Sequence, residues 1–273
     1  MTLRTTAGRS RLEGFRGMLA AALVVSGVAG AAPALADARQ DFLDGTTNSC
    51  TGCNLAAADL SGRSLAGADL ANANLSDAYL FGVDLSNAKL GGADLSGADL
   101  TLANLTGADL REAVVELTTF FRATMTGADL GEAKGQRVVF RRAVLSNARL
   151  DGAKLPWSDF VDGRLGGATA VGADLTGALL RDIKMQRVDL TGAVLQRADL
   201  TGVNLQGARL AGADLSHADL YGADLVGADL TNANFSASRL LAANLRDAKM
   251  EGTILTGALM PDGKTYQATA PAQ

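Results

Sequence analysis

Ala68-Asp69-Leu70-Ala71-Asn72-Ala73-Asn74-Leu75-Ser76-Asp77-Ala78-Tyr79-Leu80 holds the pattern that decides the fold. Leucine returns at every fifth position, at Leu70, Leu75 and Leu80. A small residue stands two before each of them, and Asp or Asn commonly stands one before, as at Asp69 and Asn74. Followed outward, the phase runs from Leu55 to Met260 without a slip. Only Gly135 and Ala170 lack a large apolar side chain at the fifth position, and Gly is frequent two after it, as at Gly62, Gly67 and Gly97.

A step of five suits neither ordinary element. On an α-helix it rotates the leucines by about 140° each time and spreads them over every face. On a flat strand an odd step alternates faces, so half the leucines meet water. A chain that bends once per repeat turns every leucine, and the small residue before it, inward. Phe120, Phe140 and Phe160 fill three of these slots at intervals of 20. Four repeats per circuit stack the three rings above one another, beside the gap at Gly135. The expected fold is all-β: a quadrilateral parallel β-helix of about ten coils, about 50 Å long for strands about 4.8 Å apart. Stability in such a solenoid comes mainly from neighbouring coils, and the two ends need caps.

Composition agrees. The chain is 48% hydrophobic but only 4% aromatic, with Ala, Leu, Gly and Asp dominant. That is too apolar for disorder. At the N-terminus, Arg4, Arg9, Arg11 and Arg16 precede an apolar run from Met18 to Ala32, and Ala34-Leu35-Ala36 reads as a small-x-small cleavage site. Residues 1–36 are read as an export signal cleaved after Ala36, which directs the protein to the periplasm or outside the cell. The run is short for an uncleaved membrane anchor and contains Gly27 and Gly30. Removing the signal takes away those four Arg and Glu13, so the formal net charge moves from −4 to about −7. That balance argues against binding nucleic acid or an anionic membrane.

Residues 37–54 are read as an N-terminal cap containing Cys50 and Cys53, residues 55–260 as the β-helix, and residues 261–273 as a turn and flexible tail. The cysteines meet an oxidising compartment after export. Asn54 stands where a haem attachment motif needs His, and the only histidine, His217, is too remote to complete a zinc site. A structural disulfide is favoured over free or redox-active thiols. No cofactor, metal or catalytic residue is expected. The Asp and Asn before each Leu recur in nearly every coil, whereas an active site is a unique constellation.

The A-[DN]-L-x-x pattern, as in Ala68-Asp69-Leu70-Ala71-Asn72 and Ala223-Asp224-Leu225-Val226-Gly227, resembles the pentapeptide-repeat family over about residues 53–260. The resemblance implies a right-handed quadrilateral β-helix with the central Leu or Phe and the preceding Ala inside. The segment from Phe42-Leu43 to Cys50-Thr51-Gly52-Cys53-Asn54-Leu55 is similar to the start of exported or thylakoid-lumenal members. Met260-Pro261-Asp262-Gly263 resembles a common family ending, and Pro-Asp-Gly suits a turn by its own chemistry.

The surface is not uniform. Residues 111–170 carry a net charge of +2, against −5 for residues 55–110 and −2 for residues 171–260. Twenty-residue circuits stack Arg122 on Arg142, Phe121 on Arg141, and Leu117, Arg137 and Trp157 in one adjacent column. Arg beside an exposed aromatic predicts cation–π pairing, and Trp with Arg is enriched at protein interfaces. These seven residues are the candidate interaction patch. The competing reading pairs the arginines with Asp162, Asp182 and Glu116 as surface structure. The function expected is a non-catalytic exported structural or interaction protein with a protein partner, and its flat ends and sides permit an end-to-end or face-to-face homodimer. Two alternatives remain. One is an acidic DNA-mimic regulator of the gyrase-protecting type in the cytoplasm. The other is a binder of an anionic or carbohydrate ligand.

Overall fold

The computed structural model describes residues 32–266 of the 273-residue chain. The export signal expected over residues 1–36 lies outside the described residues up to position 31, as does the expected tail from 267. The expected cleavage site at Ala36 falls within α1, Ala32–Leu43.

From Ser49 onward the backbone closes a circuit every 20 residues. Ser49 pairs in parallel with Asp69, Asn54 with Asn74, Asp59 with Tyr79 and Ser64 with Asp84. Four such ladders give the rod four sides, and the last parallel pair is Arg239 with Leu259. Pairing therefore begins inside the segment read as a cap. Cys50 occupies a leucine slot and Cys53 the small inward slot, both buried and joined by a disulfide.

The repeat follows from hydrogen-bond accounting. The Leu60 N–H donates to the Tyr79 carbonyl at 2.8 Å, and the Gly62 N–H to that of Phe81 at 2.8 Å. The Tyr79 N–H donates back to Ala58 at 2.9 Å, and the Arg63 N–H closes the turn onto the Leu60 carbonyl at 3.2 Å. One N–H per repeat, on the residue after the core position, is left without a backbone acceptor. The Asp or Asn two residues earlier supplies one. Asp59 accepts from the Ser61 N–H at 3.0 Å, Asn74 from Ser76 at 3.0 Å and Asp94 from Ser96 at 3.0 Å. Where Lys134 and Thr169 take the place of Asp, the coil below substitutes. Glu116 accepts from the Gln136 N–H at 2.8 Å, and Asp151 from the Val171 N–H at 2.9 Å. The third residue of each turn has φ near +60°, as at Gly62 (65°), so glycine is common there.

Inside, Phe120 stacks on Phe140 with centroids 5.1 Å apart and Phe140 on Phe160 at 4.7 Å, as the spacing of 20 predicts. At Gly135 the backbone of the coil before it leaves no room for a side chain. A Cβ there would lie 2.5 Å from the Val115 carbonyl carbon. The Val138 N–H then donates to the buried Ser158 hydroxyl at 3.1 Å instead of closing the turn. Thr118, buried one coil earlier, donates to the Leu95 carbonyl at 2.7 Å.

Phe42 of α1 is fully buried over the first coil, with the Arg63 guanidinium 5.4 Å from its ring centroid and donating to its carbonyl at 2.9 Å. At the far end the chain reverses at Pro261-Asp262-Gly263. Thr265 pairs antiparallel with Leu259, which ends the parallel ladder.

Two outcomes follow. Phe140→Ala removes the middle ring of the stack and is expected to cost about 3–5 kcal/mol of stability in chemical denaturation. The second concerns pH. Backbone N–H groups of Ser61, Ala71 and Ser86 hold the carboxyls of Asp59, Asp69 and Asp84 below the usual carboxylate range. A carboxyl lowered in the fold contributes stability above its unfolded value of about 3.9 and loses it as pH falls below that. Melting curves should be flat near neutrality and shift to lower temperature below about pH 4.

Candidate interaction surface

Each side of the rod has its own surface chemistry, because residues 20 apart share a column. The side whose core residues include Leu110 and Leu130 carries alternating charges that pair within the chain. Lys89 meets Asp69 at 3.3 Å, Arg149 meets Asp129 at 3.3 Å, Arg209 meets Asp189 at 3.1 Å and Lys249 meets Asp229 at 3.8 Å. The Asp109 carboxyl is held low chiefly by its hydrogen bond from Arg111, whose guanidinium is pushed up in turn. The side containing Met125 is mainly small and polar, with Thr106, Thr126, Ser146 and Gln206 outward.

The Phe120 side differs. Tyr79 (58% exposed), Phe81 (50%), Leu102 and Tyr221 all project from it, and Phe121 is half-buried between them. Leu117 (57%) and Trp157 (50%) stand on the corner that leads into it. The seven candidate residues come together here. Leu117, Arg137 and Trp157 share that leading corner. Phe121 with Arg141, and Arg122 with Arg142, occupy the two columns at the opposite corner.

The expected cation–π pairs do not form. Arg141 turns to Asp159 at 3.0 Å and Arg142 to Asp162 at 3.3 Å, because a carboxylate within reach outcompetes a ring face for the guanidinium. Arg122 and Arg137 have no carboxylate within ion-pair distance among the described residues, and Glu116 is occupied by the Gln136 N–H. The pairing in fact present on this side is Arg239 over the Tyr221 ring, 4.7 Å from its centroid. Trp157 instead lays its indole over Gly177, in a position that a Cβ on residue 177 would occupy. Tyr79, Phe81, Leu102 and Tyr221 fall in the columns of this side when the chain is written in rows of 20, but the residues alone do not mark them as one surface.

The outward bulk is held at strained positions. Leu102, Leu117, Arg122, Arg137, Arg142 and Trp157 have φ between 55° and 61°, the region glycine adopts most cheaply. Among the described residues no group of three or more His, Cys, Asp or Glu is placed to hold a metal.

A four-sided parallel rod built in five-residue steps is the architecture of one family. Eight copies of the pentapeptide repeat match the chain between residues 49 and 260, and the chain belongs to the pentapeptide-repeat family. No curated protein matches it. Among solved structures, HetL, a pentapeptide repeat protein involved in heterocyst differentiation regulation from Nostoc sp. strain PCC 7120, is 28% identical with a TM-score of 0.53. The match covers 84% of this chain and 97% of HetL. Trypsin-treated QnrB1, a plasmid-mediated fluoroquinolone resistance protein, is 19% identical over 72% of this chain and 88% of its own, with a TM-score of 0.34. A pentapeptide repeat protein of the Arabidopsis thaliana thylakoid lumen is 24% identical over 55% of this chain and 66% of its own, with a TM-score of 0.19. The repeats imply a right-handed quadrilateral β-helix.

Arg122→Gly tests the strain. Relief of the left-handed backbone gains about 1–2 kcal/mol. The extra freedom of glycine in the unfolded chain returns about 0.5–1 kcal/mol. Thermal melts should show a variant between unchanged and about 1.5 kcal/mol more stable.

Proposed function

We propose that this is a non-catalytic exported structural and interaction protein that presents the Phe120 side of its β-helix to a protein partner. In this reading residues 1–36 are the export signal, 37–54 the cap, 55–260 a helix of about ten coils and 261–273 the closing turn and tail. One observation carries it. Leu117, Arg122, Arg137, Arg142 and Trp157 keep large side chains at positive φ, all on one side of the rod. Nothing in the core calls for that bulk, since glycine fills the equivalent position of many other turns. Other sides carry strained residues as well, such as Glu112, Glu132 and Arg187, but of the leucine, arginine and tryptophan side chains at positive φ all except Arg187 flank this side, and strain concentrated in that way is a mark of a surface with a use. Trp and Arg are also the side chains that most often dominate binding energy at interfaces.

Pentapeptide-repeat proteins are generally non-catalytic. HetL is described as involved in regulation, which suits a protein acting through what it binds.

The test is capture from a periplasmic extract with the wild type and with a variant combining Arg137→Ala, Arg141→Ala and Trp157→Ala. The variant is expected to fold, since all three residues lie on the surface, and to lose the wild-type partner. A partner retained at wild-type level by the folded variant would defeat the reading.

A further inference from the structure

We propose that the partner of the Phe120 side is a second copy of this chain, packed antiparallel about a two-fold axis at the level of Leu150. This rests on the reading of that side as an interaction surface and names what covers it.

The argument is one of register. A two-fold axis lying across the rod keeps each column facing itself and reverses the order of the coils. With the axis midway between the Phe140 and Phe160 coils, the Phe140 coil of one copy faces the Phe160 coil of the other. The Phe120 coil then faces the Leu180 coil, the Leu80 coil faces Leu220, and the Leu60 coil faces Leu240.

Column by column, this register brings together side chains that complement one another. In the column before the core residue, Asp59 meets Arg239. In the column after it, Phe81 meets Tyr221, both large and exposed. One column further, Arg122 meets Asp182, and Arg142 meets Asp162. On the leading corner, Arg137 meets Trp157 and gains the aromatic face that its own chain does not offer. Every contact occurs twice, because the interface is isologous. Arg122, Asp59 and Asp182 have no ion-pair partner within one chain among the described residues, and the register gives each of them one, with Arg239 meeting Asp59 in addition to its own Asp219 at 2.9 Å. Arg142 and Asp162, already 3.3 Å apart in each copy, form a cluster of four alternating charges. One level sets like charges together, Asp99 opposite Asp199, and there Arg181 neutralises Asp199 from 3.1 Å within its own chain.

The size also fits. The face is about 50 Å long from coil spacing alone and about 16 Å wide for five extended residues. About 800 Å² per copy is the contribution each partner makes to a stable interface of standard size. The side with the Asp69–Lys89 and Asp129–Arg149 pairs has no such need, since its charges are matched within the chain.

A charge swap at the ends of the face tests the register. Asp59 and Arg239 lie nine coils apart, about 43 Å by coil spacing, so they cannot meet within one chain. In sedimentation velocity across the micromolar range, the wild type is expected to be a dimer. Asp59→Arg alone and Arg239→Asp alone should each weaken association about tenfold or more, since each change acts twice and sets like charges together. Combining the two should restore association to within about threefold of wild type. Asp59→Asn keeps the acceptor for the Ser61 N–H and should weaken association less than Asp59→Arg, which separates loss of charge from loss of the turn. A monomer at every concentration, or a double variant as weak as the single ones, overturns the proposal. So does wild-type chain that captures a different protein on this side while remaining monomeric, an outcome that leaves the surface reading intact.

Discussion

Coil-to-coil hydrogen bonding in steps of 20 is the constraint from which the rest of this molecule follows. The bond from the Leu60 N–H to the Tyr79 carbonyl recurs at every core position from Cys50 to Leu240 with a phase that never changes. Because the phase is fixed, each side chain stands above the residue 20 before it and below the residue 20 after it. The core becomes a set of columns and the surface a lattice. The phenylalanine stack, the ion-pair ladder and the strained corner are all consequences of that lattice. The same accounting explains the A-[DN]-L pattern. One N–H per repeat lacks a backbone acceptor, and a short carboxylate or amide two residues earlier reaches it.

Columns also explain why the middle of the chain departs from the repeat. Volume must be conserved within a circuit, since interiors pack to crystal density. Phe160 lies across the core from Ala170, the other slot without a large side chain. Gly163 sits where an added Cβ would approach the Phe160 carbonyl and the Ile183 side chain, so the bulk of Ile183 replaces what glycine omits. At Gly135 the Val115 backbone occupies the space a Cβ would need, and the Val138 N–H, which does not close the turn there, is satisfied by Ser158. The polar residues buried there, Thr118 and Ser158, are answers to a local change of backbone path.

The body of the fold was legible because inward positions obey one rule repeated many times. The circuit length was legible from three phenylalanines. What the sequence left open were choices between near neighbours. That Cys50 and Cys53 already stand in core register was hidden because neither is Leu or Ala. That Arg141 would choose Asp159 over Phe121 depends on rotamers, which column membership does not determine. The apolar stripe of Tyr79, Phe81, Leu102 and Tyr221 was present in rows of 20, but it shows as a stripe only once the burial of Phe121 between them is known.

In a repeat protein the consensus carries stability, so information specific to one member lies where the consensus is broken at a cost. Replacements in the core at Gly135, Gly163 and Ala170 come with partners that restore packing, which marks them as solutions to a structural problem. The replacements at Arg122 and Arg137 have no such partner within the chain. They hold charged side chains at left-handed backbone positions where glycine would be easier, without an ion pair in return. A cost left uncompensated inside one molecule is most simply compensated between two, and the side that bears it is also the side with the exposed aromatic residues.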